Sequence, residues 1–248
     1  LPLEEEKTDH ASVHSPDLER RLDNIINGDG TEGREKLDKI QERVVRETFA
    51  LAKIPEQFFV LVDGGPGTGK TKTTARLAEA LKLLNMRTAY TGSTGTAATN
   101  YVNGYTLHSM MGFPLDMPRG KKLTDKYSSF TTRREIMKRL GGSQPGKIVL
   151  VIDEISALTY DVFGTVEHAL RILYNNKKPF GGISVVLVGD FDQKLPISKG
   201  GSLAQVLVNS VTDDLRHMSH KEMLRSNTAA AFSRFRKYEL PINHRIKR

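Results

Sequence analysis

The chain contains no cysteine, which excludes disulfide bridges, thiolate zinc sites and thiol nucleophiles. That lack fits a reducing compartment without proving one. No apolar run approaches the ~18–20 residues needed to span a bilayer. The opening Leu1-Pro2-Leu3-Glu4-Glu5-Glu6 puts acids where a secretory signal carries bases and an apolar stretch. No internal repeat is present, and no Met opens the chain, as expected of a fragment or a processed piece.

The 248 residues are 38% hydrophobic and 27% charged, a globular composition long enough for one or two domains and a core of useful size. Charge is unevenly spread. Residues 1–36 hold ten acids and five bases, so residues 37–248 hold 32 bases and 19 acids, a net +13 against +8 for the whole chain. A domain this basic either meets a polyanion or simply presents a solvated basic surface, and charge alone leaves both open.

Residues 1–33 combine acids, Ser, His and the turn-rich Asn27-Gly28-Asp29-Gly30 with few apolar side chains, and read as a disordered acidic lead. Order is expected to begin in residues 34–53, where Leu37, Ile40, Val44, Val45, Thr48 and Leu51 recur at helical spacing. Four short apolar runs come next, at residues 58–63 (FFVLVD), 88–91, 148–153 (IVLVID) and 183–189 (ISVVLVG). They are rich in Val and Ile with no polar face, as buried parallel strands are. Helical patterns separate them at residues 70–85, just after Thr96, and at 158–175, the last with a stripe of Leu158, Val162, Val166, Leu170 and Leu173. Alternating strands and helices imply a doubly wound α/β fold, mostly parallel with helices on both faces, whose ligands bind at the carboxyl ends of the strands.

Residues 64–71, Gly64-Gly65-Pro66-Gly67-Thr68-Gly69-Lys70-Thr71, fit G-x-x-x-x-G-K-[ST] between a strand and a helix. Glycines let successive N–H groups point at phosphate oxygens, and the helix N-terminus adds positive potential. Lys70 is placed to neutralise the β- and γ-phosphates and the Thr71 hydroxyl to ligate Mg²⁺. A dinucleotide fingerprint starting at Gly65 would need glycine where Lys70 stands. The loop indicates a nucleotide and says little about its use.

A second acidic site ends the run at 148–153 with Asp153-Glu154. An Asp there can hold Mg²⁺ opposite Thr71, and an adjacent Glu can act as general base on water. Alone, such a pair reads as a solvated turn; beside a phosphate loop it points to nucleoside triphosphate hydrolysis. The run at 183–189 leads into Asp190-Phe191-Asp192-Gln193, and Gln193 is a candidate γ-phosphate sensor or an ordinary turn residue.

GGPGTGKT, TGSTGTAATN with GYTLHS, VIDEIS and GDFDQKLPI, in that order, resemble motifs I, Ia, Ib, II and III of superfamily 1 DNA helicases. The chain is most similar to their PIF-type branch and its RecD-like relatives, over residues 37–197. The resemblance implies a RecA-like P-loop fold and a 5′-to-3′ DNA helicase that hydrolyses ATP with Mg²⁺ in repair, recombination or telomere maintenance. It implies that Gln41 reads the adenine edge, that Lys70 and Thr71 serve phosphate and magnesium, that Asp153 and Glu154 are metal carboxylate and base, and that Gln193 is the sensor. Ser93, Thr94, Gly95, Thr106, His108 and Ser109 match segments that touch single-stranded DNA; without that context His108 reads as a structural histidine and Thr94 as a loop residue. Tyr238 to Arg245 resembles motif IV, whose arginine, here Arg245, reaches the γ-phosphate. The implied partners are single-stranded DNA and tailed or structured duplex, with no membrane, a monomeric state, and an intracellular setting in which a nucleus is favoured over mitochondrion or cytoplasm.

Two departures stand out. Gln193 is followed by Lys194-Leu195-Pro196 where the family usually has Leu-Pro-Pro. Residues 119–147 form a basic insertion, nine bases against Asp125 and Glu135 with Tyr127 and Phe130 interleaved, which reads either as a backbone track with stacking rings or as a mobile solvated segment. The expected organisation is a first RecA-like ATPase domain over 34–215 and a poorly packed basic tail over 216–248 that opens a second such domain. The alternative function is an ATP- and single-strand-binding module without unwinding activity; an ATPase loader of another phosphate-loop class is a third, which should lack the TLHS segment.

Overall fold

The computed structural model describes residues 16–31, 34–113, 129–190, 231 and 233–244. Its strands are β1 (Phe59–Asp63), β2 (Arg87–Gly92), β3 (Tyr105–Thr106), β4 (Ile148–Asp153), β5 (Ser184–Gly189) and β6 (Arg236–Glu239). They form one sheet in the order β3-β2-β4-β5-β1-β6, and every pairing is parallel. The helices are α1 (Pro16–Asn27), α2 (Lys39–Ala52), α3 (Lys70–Lys82), α4 (Gly95–Thr99), α5 (Leu107–Met111), α6 (Phe130–Leu140) and α7 (Tyr160–Tyr174).

Side chains of a strand alternate between faces, and here both faces are covered. Phe59 and Leu61 of β1, Ile148, Leu150 and Ile152 of β4, and Val185 and Leu187 of β5 enter one core with α5, α6 and α7. Their neighbours Val60, Val62, Val149, Val151, Val186 and Val188 enter a second core with α1, α2 and α3. This is why the central strands read as unbroken apolar runs. Each such side chain, fully buried, contributes about 1.5–3 kcal/mol.

Two parts of the expected organisation are corrected. Pro16–Asn27, inside the expected disordered lead, is a helix: Pro16 opens it, Asp17 and Glu19 sit in its first turn, and Leu22 and Ile26, four apart on one face, are buried in the second core. Residues 1–15 of that lead lie outside the described residues. The tail is corrected as well. Its stretch Arg236–Glu239 pairs along β1 from Val60↔Arg236 to Asp63↔Glu239, and the chain continues the ladder with the Leu240 N–H donating to the Asp63 carbonyl at 2.8 Å. Tyr238 and Leu240 are buried in the second core, while Lys237 pairs with Asp63 at 2.9 Å and Arg236 with Glu47 at 2.6 Å. The stretch looked like a loose tail because its side chains are mostly charged; its backbone and alternate side chains are what hold it.

The basic insertion is partly described. In α6, Ile136 and Leu140 are buried, Arg133 donates to the Leu173 carbonyl at 2.7 Å, and Arg139 donates to the Ser109 carbonyl at 2.7 Å. Those two bases are therefore engaged inside the fold, while Phe130 is 77% exposed. Residues 119–128 lie outside the described residues.

Glu47 of α2 is the anchor for β6, accepting from the Tyr238 hydroxyl at 2.9 Å and pairing with Arg43 and Arg236. The Arg43 guanidinium, then Tyr238, hold its carboxyl below the usual glutamate range. A depressed carboxyl contributes stability above the unfolded-state value near pH ~4.3 and loses it as pH falls through the folded value. Glu47→Gln should cost about 0.5–1 kcal/mol at pH 7 and flatten the acid limb of the stability curve, measured by urea unfolding from pH 3 to 7.

Candidate functional site

The carboxyl ends of β1, β5 and β4 lie side by side, with β5 between the other two. Neighbouring strands are ~4.8 Å apart, so the ends of β1 and β4 are separated by about 10 Å. From β1 the chain enters the phosphate loop, from β4 it enters Asp153-Glu154, and Asp190 comes directly after β5 between them. Residues far apart in sequence thus meet at one rim.

The loop is shaped by its glycines and fixed from outside. Gly67 and Gly69 have φ of 83° and 80°, a region that disfavours side chains, and Gly69 is the N-cap of α3. A Cβ on Gly69 would lie 2.4 Å from Gln41 Nε2, and one on Gly64 would lie 2.7 Å from Thr68 Oγ1. Thr68 Oγ1 donates to the Gly65 carbonyl at 2.9 Å. Lys70 Nζ donates to the carbonyls of Gly64 and Gly65 at 2.6 and 2.9 Å, which holds the ammonium over the loop. Thr71 is exposed at the start of α3. Pro66 is exposed, and its carbonyl accepts from Asn243 Nδ2 at 3.1 Å.

Gln41 lies against this loop, buried to 1% exposure. Its Oε1 accepts from the Asp38 N–H at 3.1 Å, and its Nε2 donates to the Thr68 carbonyl at 3.1 Å and lies 3.3 Å from His244 Nε2. It is also the third residue of a capping box with Asp38. The amide that resemblance assigns to an adenine edge is therefore engaged with the loop and with α2 in this structure.

Asp153 is buried at the end of β4. Its Oδ1 accepts from the Glu154 N–H at 2.8 Å and its Oδ2 from the Tyr101 hydroxyl at 3.0 Å. Burial pushes its carboxyl above the usual range, although these two hydrogen bonds and the Lys70 charge oppose that shift. Glu154 sits at φ 59°, ψ 50°, an uncommon conformation for a residue with a side chain, and its Oε1 accepts from Ser156 Oγ at 2.6 Å.

The six residues matched to DNA-contacting segments gather around the ends of β2 and β3. Ser93 is tied inward, its N–H donating to the Asp153 carbonyl at 3.0 Å and its hydroxyl to the Glu154 carbonyl. Thr94 caps α4 and Thr106 caps α5, each hydroxyl accepting an N–H at 3.1 Å. Gly95 is open, with nothing within 4 Å of a built Cβ. His108 is half-buried, edge-on to Phe113 with ring centroids 6.3 Å apart, and Ser109 is exposed. Gln193 and Arg245 lie outside the described residues, as does the Lys194 to Pro196 departure.

Four residues to which the sequence assigned no role support the site, although Ser156 falls within VIDEIS. Tyr101 and Ser156 hold the two carboxylates. Asn243 and His244 hold the loop, the His244 N–H donating to the Gly67 carbonyl at 2.9 Å and its Nε2 lying 2.9 Å from Asp38 Oδ2. Only the motif-IV-like stretch hinted at the last two.

The residues suit a magnesium–triphosphate group. Thr71 and Asp153 offer hard oxygen donors, and among the described residues no group of three or more His, Cys, Asp or Glu forms a protein cage. Mg²⁺ is characteristically bound by one or two such side chains plus substrate phosphates.

A parallel sheet with this loop after its first strand and acids ending an inner strand defines a RecA-like P-loop domain. Comparison with known proteins narrows the class. Residues 36–230 match the family model of the PIF1-like helicases, and the chain belongs to that family. It is similar to the ATP-dependent DNA helicase Pif1 of Psychrobacter sp. (strain PRwf-1), 37% identical over 143 residues, 57% of this chain and 20% of that protein. Among solved structures it resembles Bacteroides sp Pif1 in complex with ADP-AlF4, with a TM-score of 0.56 and 27% identity over 82% of this chain and 42% of that one. It also resembles Bacteroides Pif1 bound to ssDNA, with a TM-score of 0.56 and 25% identity over 86% of this chain and 43% of that one. The matched region is thus a fifth of the curated relative's length and about two fifths of these structures. No described helix is long and apolar enough to cross a membrane.

Gly69→Ala should destabilise the chain by about 1–3 kcal/mol, since it adds a Cβ at positive φ against Gln41. Gly95→Ala, with open space around it, should leave thermal unfolding nearly unchanged; equal losses in the two would contradict the crowding at Gly69.

Proposed function

We propose that this chain is the first RecA-like motor domain of an ATP-dependent 5′-to-3′ DNA helicase acting in DNA repair, recombination or telomere maintenance. One observation carries the reading: the phosphate loop with Lys70 follows β1, the Asp153-Glu154 pair ends β4, and β5 alone separates the two strands, so both reach the same rim of a single sheet. Lys70 and the loop N–H groups bind the triphosphate. Thr71 and Asp153 would hold Mg²⁺, which would supply charge neutralisation for the phosphates. Glu154, oriented by Ser156, takes the proton of the attacking water. Gln41 joins the base end of the cleft to the phosphate loop, and Gln193 and Arg245 serve as sensor and γ-phosphate contact. Single-stranded DNA runs across the ends of β2 and β3, along Thr94, Gly95, Thr106, His108 and Ser109. Tailed or structured duplex DNA is the substrate of the whole motor. Supporting the reading are the family membership and the relatives named as ATP-dependent DNA helicases.

Lys70→Ala should abolish most binding of a fluorescent ATP analogue. Glu154→Gln should keep that binding and lower turnover by about 10²–10⁴, the usual contribution of a general base; turnover equal to the unsubstituted chain would remove Glu154 from its role. Oligo(dT) affinity should fall log-linearly with salt, about 0.7 of a log unit per phosphate contact for each log unit of salt. A flat dependence would refute the basic track.

A further inference from the structure

The geometry points to Tyr101 as a positioning residue that couples the proposed DNA-contacting loop to the metal carboxylate; this rests on the magnesium–nucleotide reading of Asp153. The Tyr101 hydroxyl donates to Asp153 Oδ2 at 3.0 Å and lies 3.2 Å from Thr74 Oγ1. Thr74 stands one turn into the helix that begins with Lys70 and Thr71, and its own hydroxyl proton is directed to the carbonyls of those two residues, both 3.0 Å away, which leaves the Tyr101 proton for Asp153. The Glu154 N–H already fixes Oδ1, so Tyr101 completes the orientation of the carboxylate.

The Tyr101 ring is held from one side, stacked on Tyr90 with centroids 4.4 Å apart and planes 12° from parallel. Its backbone belongs to a different neighbourhood. Tyr101 stands between Gly95 and Thr106, its carbonyl closes a turn by accepting from the Gly104 N–H at 3.0 Å, and Val102 within that turn is 89% exposed. Tyr101 also lines an open cavity of about 970 Å³ with Thr71, Tyr90, Tyr105 and Arg139. A strand pressing on the exposed turn therefore bears on the residue that orients Asp153. Groups that orient a metal ligand are typically worth about 10–100-fold in metal affinity.

The test is a Mg²⁺ titration of fluorescent ATP-analogue binding, with and without oligo(dT), in the unsubstituted chain and in Tyr101→Phe. Tyr101→Phe keeps the stacked ring and loses only the hydroxyl. It should raise the Mg²⁺ midpoint about 10-fold or more, leave Mg²⁺-free binding unchanged, and abolish the midpoint shift that oligo(dT) causes in the unsubstituted chain. Unchanged midpoints with an intact oligo(dT) shift overturn the inference, as does an equal loss of Mg²⁺-free binding. An unsubstituted chain whose binding ignores Mg²⁺ instead brings down the metal reading itself, and this inference with it.

Discussion

Parallel pairing of β1, β5 and β4 delivers three carboxyl ends to one rim, and the candidate site is built from the segments attached to those ends. The register runs from Phe59↔Val185 to Asp63↔Gly189 and from Val149↔Ser184 to Ile152↔Leu187. Slipping one strand by a residue would exchange its faces, driving Phe59 and Leu61 into the core built for Val60 and Val62. It would also displace the phosphate loop from Asp153 by about 3.3 Å, the rise of one residue. The same alternation that fills two cores therefore keeps the segments of Lys70 and Asp153 at one rim.

Around that rim, much of the polar chemistry is already engaged in holding shape. Gln41 joins α2 to the Thr68 carbonyl, Asn243 and His244 join the segment after β6 to Pro66 and Gly67, and Lys70 bonds Gly64 and Gly65. The phosphate loop is thus held by elements from both termini of the described fold. A loop of this kind meets a triphosphate with its N–H groups preset, so less ordering accompanies binding.

The parts of the structure legible in the sequence were those whose pattern is set by local chemistry. The four apolar runs became β1, β2, β4 and β5 within one residue at each end, because strands covered on both faces have no polar alternation to hide them. The phosphate loop and the Asp153-Glu154 pair were legible because their chemistry dictates residue type and spacing. What escaped was tertiary in origin. In α1 only Leu18, Leu22, Ile25 and Ile26 mark the buried side, amid charges that suggest a solvated segment. β6 has a single buried side chain, Tyr238, and its pairing with β1 is a backbone property that side chains do not announce. Thr94 and Thr106 have capping partners that no spacing rule distinguishes from ligand contacts. The partner of Tyr101 lies 52 positions away and is found only by folding.

The two lateral margins of the sheet are guarded differently. On one side β3 is two residues long, and on the other β6 reads Arg-Lys-Tyr-Glu, with Arg236 and Lys237 in ion pairs to Glu47, Asp63 and Glu239. Brevity and fixed charge are two common defences against unwanted strand addition. A foreign strand seeking to extend this sheet would find too few amides at one margin, and at the other would have to displace cations from their carboxylates. Among the described residues, self-association by strand addition is thus disfavoured at both margins, at one by scarcity of amides and at the other by cations already committed to carboxylates.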